Sequence, residues 1–146
     1  MTITVQIATD DANLPAATDL EHWARHTLNY ARTTGELTPR IVGLDESRQL
    51  NADWRGRDPA TNVLAFPLHD SDFEPRLLGD VVSCAPVANA EAGDSPAQRE
   101  AHWAHLAIHG ILHLLNYDHE HDRDAEIMES LERTILAELG YPDPYA

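Results

Sequence analysis

The chain predicts a mixed α+β fold, one four-stranded sheet packed with about five helices, and three observations carry that expectation. Short apolar or alternating runs at residues 3–8, 40–44, 62–68 and 77–85 have the length of strands. Between and after them, apolar residues recur at helical spacing. Ser95, Pro96 and Gln98 form the best helix start in the chain: an N-cap, a proline in the first turn and a capping box. Strands with helices between and after them make a mixed α/β layer.

Taken in order, Ile3 to Ala8 reads as the first strand, and Asn13 and Pro15 open a helix. Its buried stripe is Leu20, Trp23, Ala24, Thr27, Leu28 and Ala31, and Gly35 ends it. Arg40 to Leu44 is the second strand. Asp45 can cap a short helix carrying Leu50 and Trp54 on one side, with Arg55 and Arg57 at its end and Asp58-Pro59 breaking it. The third strand is stopped by Pro67, and the fourth is interrupted by Gly79. A polar loop, 69–76, joins them, and Cys84 reads as a small buried residue. A short helical piece after Pro86 runs to Gly93. The helix begun at Ser95 carries His102, His105, His109 and His113, and its other face offers Trp103, Leu106, Ala107, Ile111 and Leu114 to the core. A last helix from Asp122 or Asp124 buries Met128, Leu131, Ile135 and Leu139 and ends at Gly140 and Pro142.

At 146 residues, the chain has the size of a single domain spanning 1–146. Hydrophobic residues make up 42% and charged residues 24%, a globular balance, and no apolar run approaches a membrane span. The start, Met-Thr-Ile-Thr-Val, lacks the basic and apolar segments of a signal peptide, and the lone Cys84 precludes an internal disulfide, so a cytoplasmic protein is expected. The net charge is −15 and there is no lysine. Residues 1–76 hold seven arginines against twelve acids, and residues 77–146 three against thirteen. Phosphate contacts dominate nucleic-acid affinity, so such a chain must grip any nucleic acid locally.

The most informative stretch is His-Gly-Ile-Leu-His-Leu-Leu-Asn-Tyr-Asp-His, residues 109–119. His109 and His113 stand four apart, about 40° from each other around a helix, so both rings can face one point. For His119 to join them the helix must stop after Leu115, with Asn116 in the left-handed conformation that asparagine tolerates second only to glycine. Three neutral imidazoles with a position left for water describe a catalytic zinc rather than a structural one. The spacing approaches that of metzincin proteases, but those place a glutamate directly after the first histidine and this chain has Gly110 there. A metalloprotease is therefore disfavoured, and Gly110 instead lets something approach the helix backbone.

The run from His109 to His119 resembles the signature of the bacterial YbeY rRNA maturation factors, with Asn116 in place of a glycine. Leu50-Asn51 through Trp54-Arg55, then Asp58 and Thr61 to Pro67, is similar to the family's second motif, and Leu78-Gly79-Asp80-Val81 to its third. The resemblance spans about residues 40–140. It implies a metal-dependent endoribonuclease that prefers single strands and acts in 16S rRNA 3′-end maturation and ribosome quality control. It further implies one zinc ion held by His109, His113 and His119, and Arg55 holding the RNA phosphate. Ribosomal RNA and the small ribosomal subunit with its proteins are the partners so implied. An alternative of another class is a small-subunit assembly factor acting mainly by binding, which the acidic surface would suit.

Of the remaining residues, Asp80, Asp118 and Glu120 are candidate general bases, and Asp118 could instead orient a ligand ring. Asp80, on an otherwise apolar strand, is expected to bond the backbone or a site residue. His102 and His105 read as solvated or site-lining rather than as ligands, and His121 as surface.

Overall fold

A computed structural model describes residues 1–56, 60–70, 76–117 and 122–146, excluding the side chains of Arg55, His69, Asp70 and Asp122. The elements in chain order are β1 (Thr2–Ile3), β2 (Gln6–Ala8), α1 (Ala17–Tyr30), β3 (Glu36–Val42), α2 (Leu44–Arg55), β4 (Val63–Asp70), β5 (Leu77–Cys84), α3 (Ala85–Glu91), α4 (Pro96–Leu114) and α5 (Asp122–Glu138). The strands form one sheet in the order β1-β3-β5-β4, with β2 also paired to β3. Only β4 runs antiparallel, against β5; the other pairings are parallel. The α+β class and the five helices are as expected, but among the described residues the strands number five rather than four.

The extra strand comes from a break in the first one. Thr2 pairs with Glu36 and Gln6 with Arg40, a constant offset, so β1 and β2 are one ribbon interrupted at Thr4-Val5. Opposite the gap stands Pro39. The Thr4 N–H donates to the Leu37 carbonyl (3.0 Å), which shows that Leu37, and by alternation Pro39, turns its backbone polar groups toward this ribbon. The missing proline N–H therefore removes one rung at the break. Pro39 does not prevent β3 from beginning at Glu36, four residues before the expected start.

Proline misled the reading of β4, which continues through Pro67 to Asp70. Asn62 accepts from the Cys84 N–H (2.9 Å), so the even-numbered backbone groups face β5 and Pro67 faces outward. An edge strand accepts proline in that phase. Gly79 does not interrupt β5, which runs from Leu77 to Cys84; it sits at φ +134° where the pairing with β3 shifts register, and a Cβ there would lie 2.2 Å from the Phe66 carbonyl oxygen.

Helix boundaries also differ from expectation, and α1 begins at Ala17 with Ala16 as its N-cap, beyond Asn13 and Pro15. The N-cap of α2 is Gly43, not Asp45; Asp45 and Glu46 occupy the first turn, where carboxylates favour the helix dipole. Helix α1 ends before Gly35, at a turn where Arg32 takes φ +52° and the Thr33 N–H reaches the Leu28 carbonyl (2.9 Å). Helix α2 also turns an unexpected face inward: Ser47 and Asn51 are buried, whereas Trp54 is 71% exposed.

Helix α4 is the central element. Its N-cap is as read, with the Gln98 N–H donating to Ser95 Oγ and the Ser95 N–H to Gln98 Oε1, both at 3.1 Å. Trp103, Ala104, Ile108 and Leu112 pack with Trp23 of α1 and with Met128, Ile135 and Leu136 of α5. Ile111 and Leu114 pack with Leu28, Leu37, Leu78 and Val81. Cys84 is buried as expected. In α5, Met128 and Ile135 are buried and Leu131 and Leu139 half-buried, but the stripe also takes in Leu136 and the carboxylate of Glu132.

Gly110 is where α4 meets the sheet. A Cβ there would lie 2.5 Å from Val81 Cγ1 and 2.9 Å from Val63 Cγ2, so the close approach expected at Gly110 is that of β5 and β4. Overpacking costs ~1–3 kcal/mol, against ~1 kcal/mol of helix propensity gained on replacing glycine. Gly110→Ala is therefore expected to destabilise the fold, read as a lower urea midpoint at an unchanged m-value; a midpoint at or above wild type would show that the two valines yield.

Candidate metal centre

Helix α4 presents its histidines along one side. The rings of His109 and His113 are edge-to-face with centroids 5.0 Å apart, and those of His105 and His109 are 6.2 Å apart. Helical spacing places them so, while the opposite side of α4 is committed to the core.

The helix then stops as the spacing requires. The Asn116 N–H donates to the His113 carbonyl and the Tyr117 N–H to the Leu112 carbonyl, both at 3.0 Å, which is the Schellman pattern. Asn116 has φ +76°, the left-handed conformation expected of it. His119 lies outside the described residues, as do Asp118, Glu120 and His121. Arg55 closes α2, followed by Gly56 at φ +68°; its side chain is also outside the described set.

The residue missed by the sequence reading is Glu132. Its side chain is 1% exposed, on the inner face of α5, and both oxygens are engaged. Oε1 accepts from His109 Nδ1 at 2.8 Å. Oε2 accepts from His105 Nε2 at 2.6 Å and from the Tyr145 hydroxyl at 2.5 Å. Burial pushes this carboxyl up, but the hydrogen bonds from His105, His109 and Tyr145 outweigh it and hold the group down at about 2. Glu132 is thus an ionised acceptor, and the ring nitrogens facing it carry protons. In neutral His109 that puts the lone pair on Nε2, the form in which a metal-binding imidazole is held by an outer carboxylate. A carboxylate inside the stripe Met128, Leu131, Ile135 was the available signal.

His105, expected to be solvated or site-lining, is part of this network rather than solvated. His102 instead pairs with Glu91 at 3.0 Å. The ligand-capable atoms of His105, His109 and Glu132 all lie within 4.8 Å of one another, so this cluster could hold a metal ion.

Asp80 is not in the centre. Val81 faces α4, so the neighbouring Asp80 points to the other side of the sheet. There it lines a cleft of about 680 Å³ with Arg40, Leu50, Trp54, Phe66 and Val82. Burial raises its carboxyl, and the charge of Arg40 pulls it partly back. Arg40 itself is held by Glu46 through Nε and Nη2, at 2.7 and 2.9 Å.

Imidazoles on a helix, gripped by a buried carboxylate and seated on an α/β layer, form a cluster that could hold a metal ion. Residues 4–140 match the family model described as endoribonuclease YbeY. The endoribonuclease YbeY of Stutzerimonas stutzeri is 53% identical over 134 residues, 90% of this chain and 84% of that protein. That of Methylobacillus flagellatus is 47% identical over 146 residues, 100% of this chain and 94% of that protein. A solution structure from Thermotoga maritima shares the fold, with a TM-score of 0.58 at 24% identity, covering 94% of this chain and 91% of that one. The chain belongs to the endoribonuclease YbeY family.

Two predictions follow from the geometry at α4 and α5. Glu132 has its pKa lowered by folding, so its contribution to stability is complete above the unfolded value of 4.5 and is lost as pH falls toward about 2. Wild-type protein without metal should therefore lose more stability than Glu132→Gln between about pH 6 and about pH 3, measured by chemical denaturation; parallel losses would contradict this. Asn116→Gly relieves the left-handed strain and should raise stability by up to ~1 kcal/mol in the same assay.

Proposed function

We propose that the chain is a zinc-dependent endoribonuclease, cutting single-stranded RNA and acting in 16S rRNA 3′-end maturation and ribosome quality control. The observation that carries this reading is the Glu132–His109 contact at 2.8 Å, one helical turn from His113. Family membership supports the endoribonuclease activity itself. In this reading the enzyme is one domain over 1–146, works in the cytoplasm, and meets its RNA on the small ribosomal subunit among that subunit's proteins. Among the described residues no helix is long and apolar enough to cross a membrane.

His109, His113 and His119 would hold one zinc ion, and Glu132 would serve as the partner behind His109. Two arguments favour this set over His105, His109 and Glu132. Both Glu132 oxygens already accept hydrogen bonds from within the protein, so coordination there would have to displace them. His113 also lies against His109, with centroids closer than those of His105 and His109. When bound, zinc supplies Lewis-acid chemistry, acidifying water and drawing electron density from a phosphoryl oxygen.

The protein's own groups do the rest. Glu132 holds the proton on His109 Nδ1 and keeps the ring from rotating. Arg55 would offer a planar pair of donors to two phosphate oxygens, which favours the crowded, more highly charged phosphorus of the transition state. With no lysine and a net charge of −15, that local grip has to replace a broad basic surface.

The test is cleavage of a single-stranded RNA by purified protein, by His113→Ala and by Arg55→Glu, each with and without a chelator. Wild-type protein should cut, the chelator should abolish cutting until zinc is restored, and both variants should fall to the no-enzyme rate. Equal cleavage by all three proteins would identify a contaminating nuclease and overturn the reading.

A further inference from the structure

The C-terminal segment after α5 returns across the helix pair and ends on the metal centre's supporting carboxylate. Tyr145 places its hydroxyl 2.5 Å from Glu132 Oε2 and 3.3 Å from His105 Nε2. Its ring stands edge-to-face against His105, centroids 5.4 Å apart, and the Arg133 guanidinium covers it at 5.1 Å. The segment is tied down along its length. The Tyr141 hydroxyl accepts from Trp23 Nε1 at 3.1 Å. The Tyr145 N–H donates to Asp143 Oδ1 at 2.8 Å, and the same oxygen accepts from Arg133 Nε at 3.3 Å. Pro142 and Pro144 stiffen the intervening backbone. The tail is therefore a strap with one polar side chain aimed at one buried carboxylate.

We propose that Tyr145 is a positioning residue for His109, acting through Glu132. This rests on the reading of His109 as a zinc ligand. Glu132 has two oxygens for two tasks: Oε1 orients His109, while Oε2 is held by His105 and Tyr145. A carboxylate pivots about a single bond, so anchoring Oε2 is what fixes the direction of Oε1. Burial and the adjacent Glu132 charge push the Tyr145 phenol up, so it keeps its proton and donates. Removing that donor leaves Glu132 held at Oε2 by His105 alone among the described residues and lets the Nδ1–H form of His109 compete with the other tautomer. Tyr145 lies outside the 4–140 stretch that matches the family model, and none of the three motifs reaches it.

The test uses full-length protein and zinc alone, with affinity read by competition against a chromophoric chelator. The variants are Tyr145→Phe, Tyr141→Phe and His109→Ala. Tyr145→Phe keeps the ring with its contacts to Arg133 and His105, so the fold is retained. Its zinc affinity should fall about tenfold, within the range for an outer partner of a metal ligand. Nitrogen-15 spectra of the metal-free variant should show His109 as a mixture of tautomers where wild type shows Nδ1–H. Tyr141→Phe removes a hydrogen bond of the same segment away from Glu132 while the Asp143 and Arg133 contacts still hold Tyr145, and should leave both readouts at wild type. If Tyr145→Phe matches wild type in affinity and tautomer while His109→Ala binds poorly, the positioning role is overturned and the ligand reading stands. If His109→Ala binds zinc as wild type does, the ligand reading falls and this proposal falls with it.

Discussion

A single ionised carboxylate, buried between two helices, organises this molecule's functional end. Glu132 sits where an apolar side chain would otherwise complete the α5 stripe, and a lone charge there would be expensive. Three donors make it tolerable, and each comes from a different place: His105 and His109 from successive turns of α4, Tyr145 from the tail. The arrangement locks the helix pair in one register, because sliding α5 by a turn would strand the charge. The same bonds decide which nitrogen of His109 carries the proton. Stability and site chemistry therefore share one group.

Helix α4 serves the sheet and the centre at once. Its inward side is fixed by Gly110 against Val81 and Val63 and by Ile111 and Leu114 in the core. His109 and His113, which directly precede Gly110 and Leu114, are thereby turned away from the sheet, His109 toward Glu132 of α5. The exact seating of a glycine on two valines thus sets the direction of two imidazoles. The Schellman turn at Asn116 ends the helix immediately beyond them, turning the chain out of the helical path.

Local signals were read well, and signals that depend on distant partners were not. Ser95, Pro96 and Gln98 announce α4, and Asn116 its end, because capping chemistry acts over three or four residues. The left-handed Asn116 was foreseen from spacing alone and has the expected φ. Glu132 was missed since its donors lie 23, 27 and 13 residues away in the chain. Pro67 misled, because whether a missing N–H matters depends on which neighbour it faces, a property of the sheet rather than of the segment. Asp45 was a plausible cap, but Gly43 took the position and left the carboxylates to the first turn. Asp80 has the composition of a site residue yet alternates to the far side of the sheet. His119 and the Arg55 side chain fall outside the described residues.

The outward phase of Pro67 has a consequence for how the protein behaves in a crowd. Strand β4 is the sheet's last antiparallel member, and such a margin offers a row of backbone donors and acceptors on which another chain's strand can dock. At Pro67 that row lacks a donor, so a docking strand loses one rung midway along β4. A residue whose missing N–H costs no bond to β5 therefore weakens pairing along the sheet's outer margin.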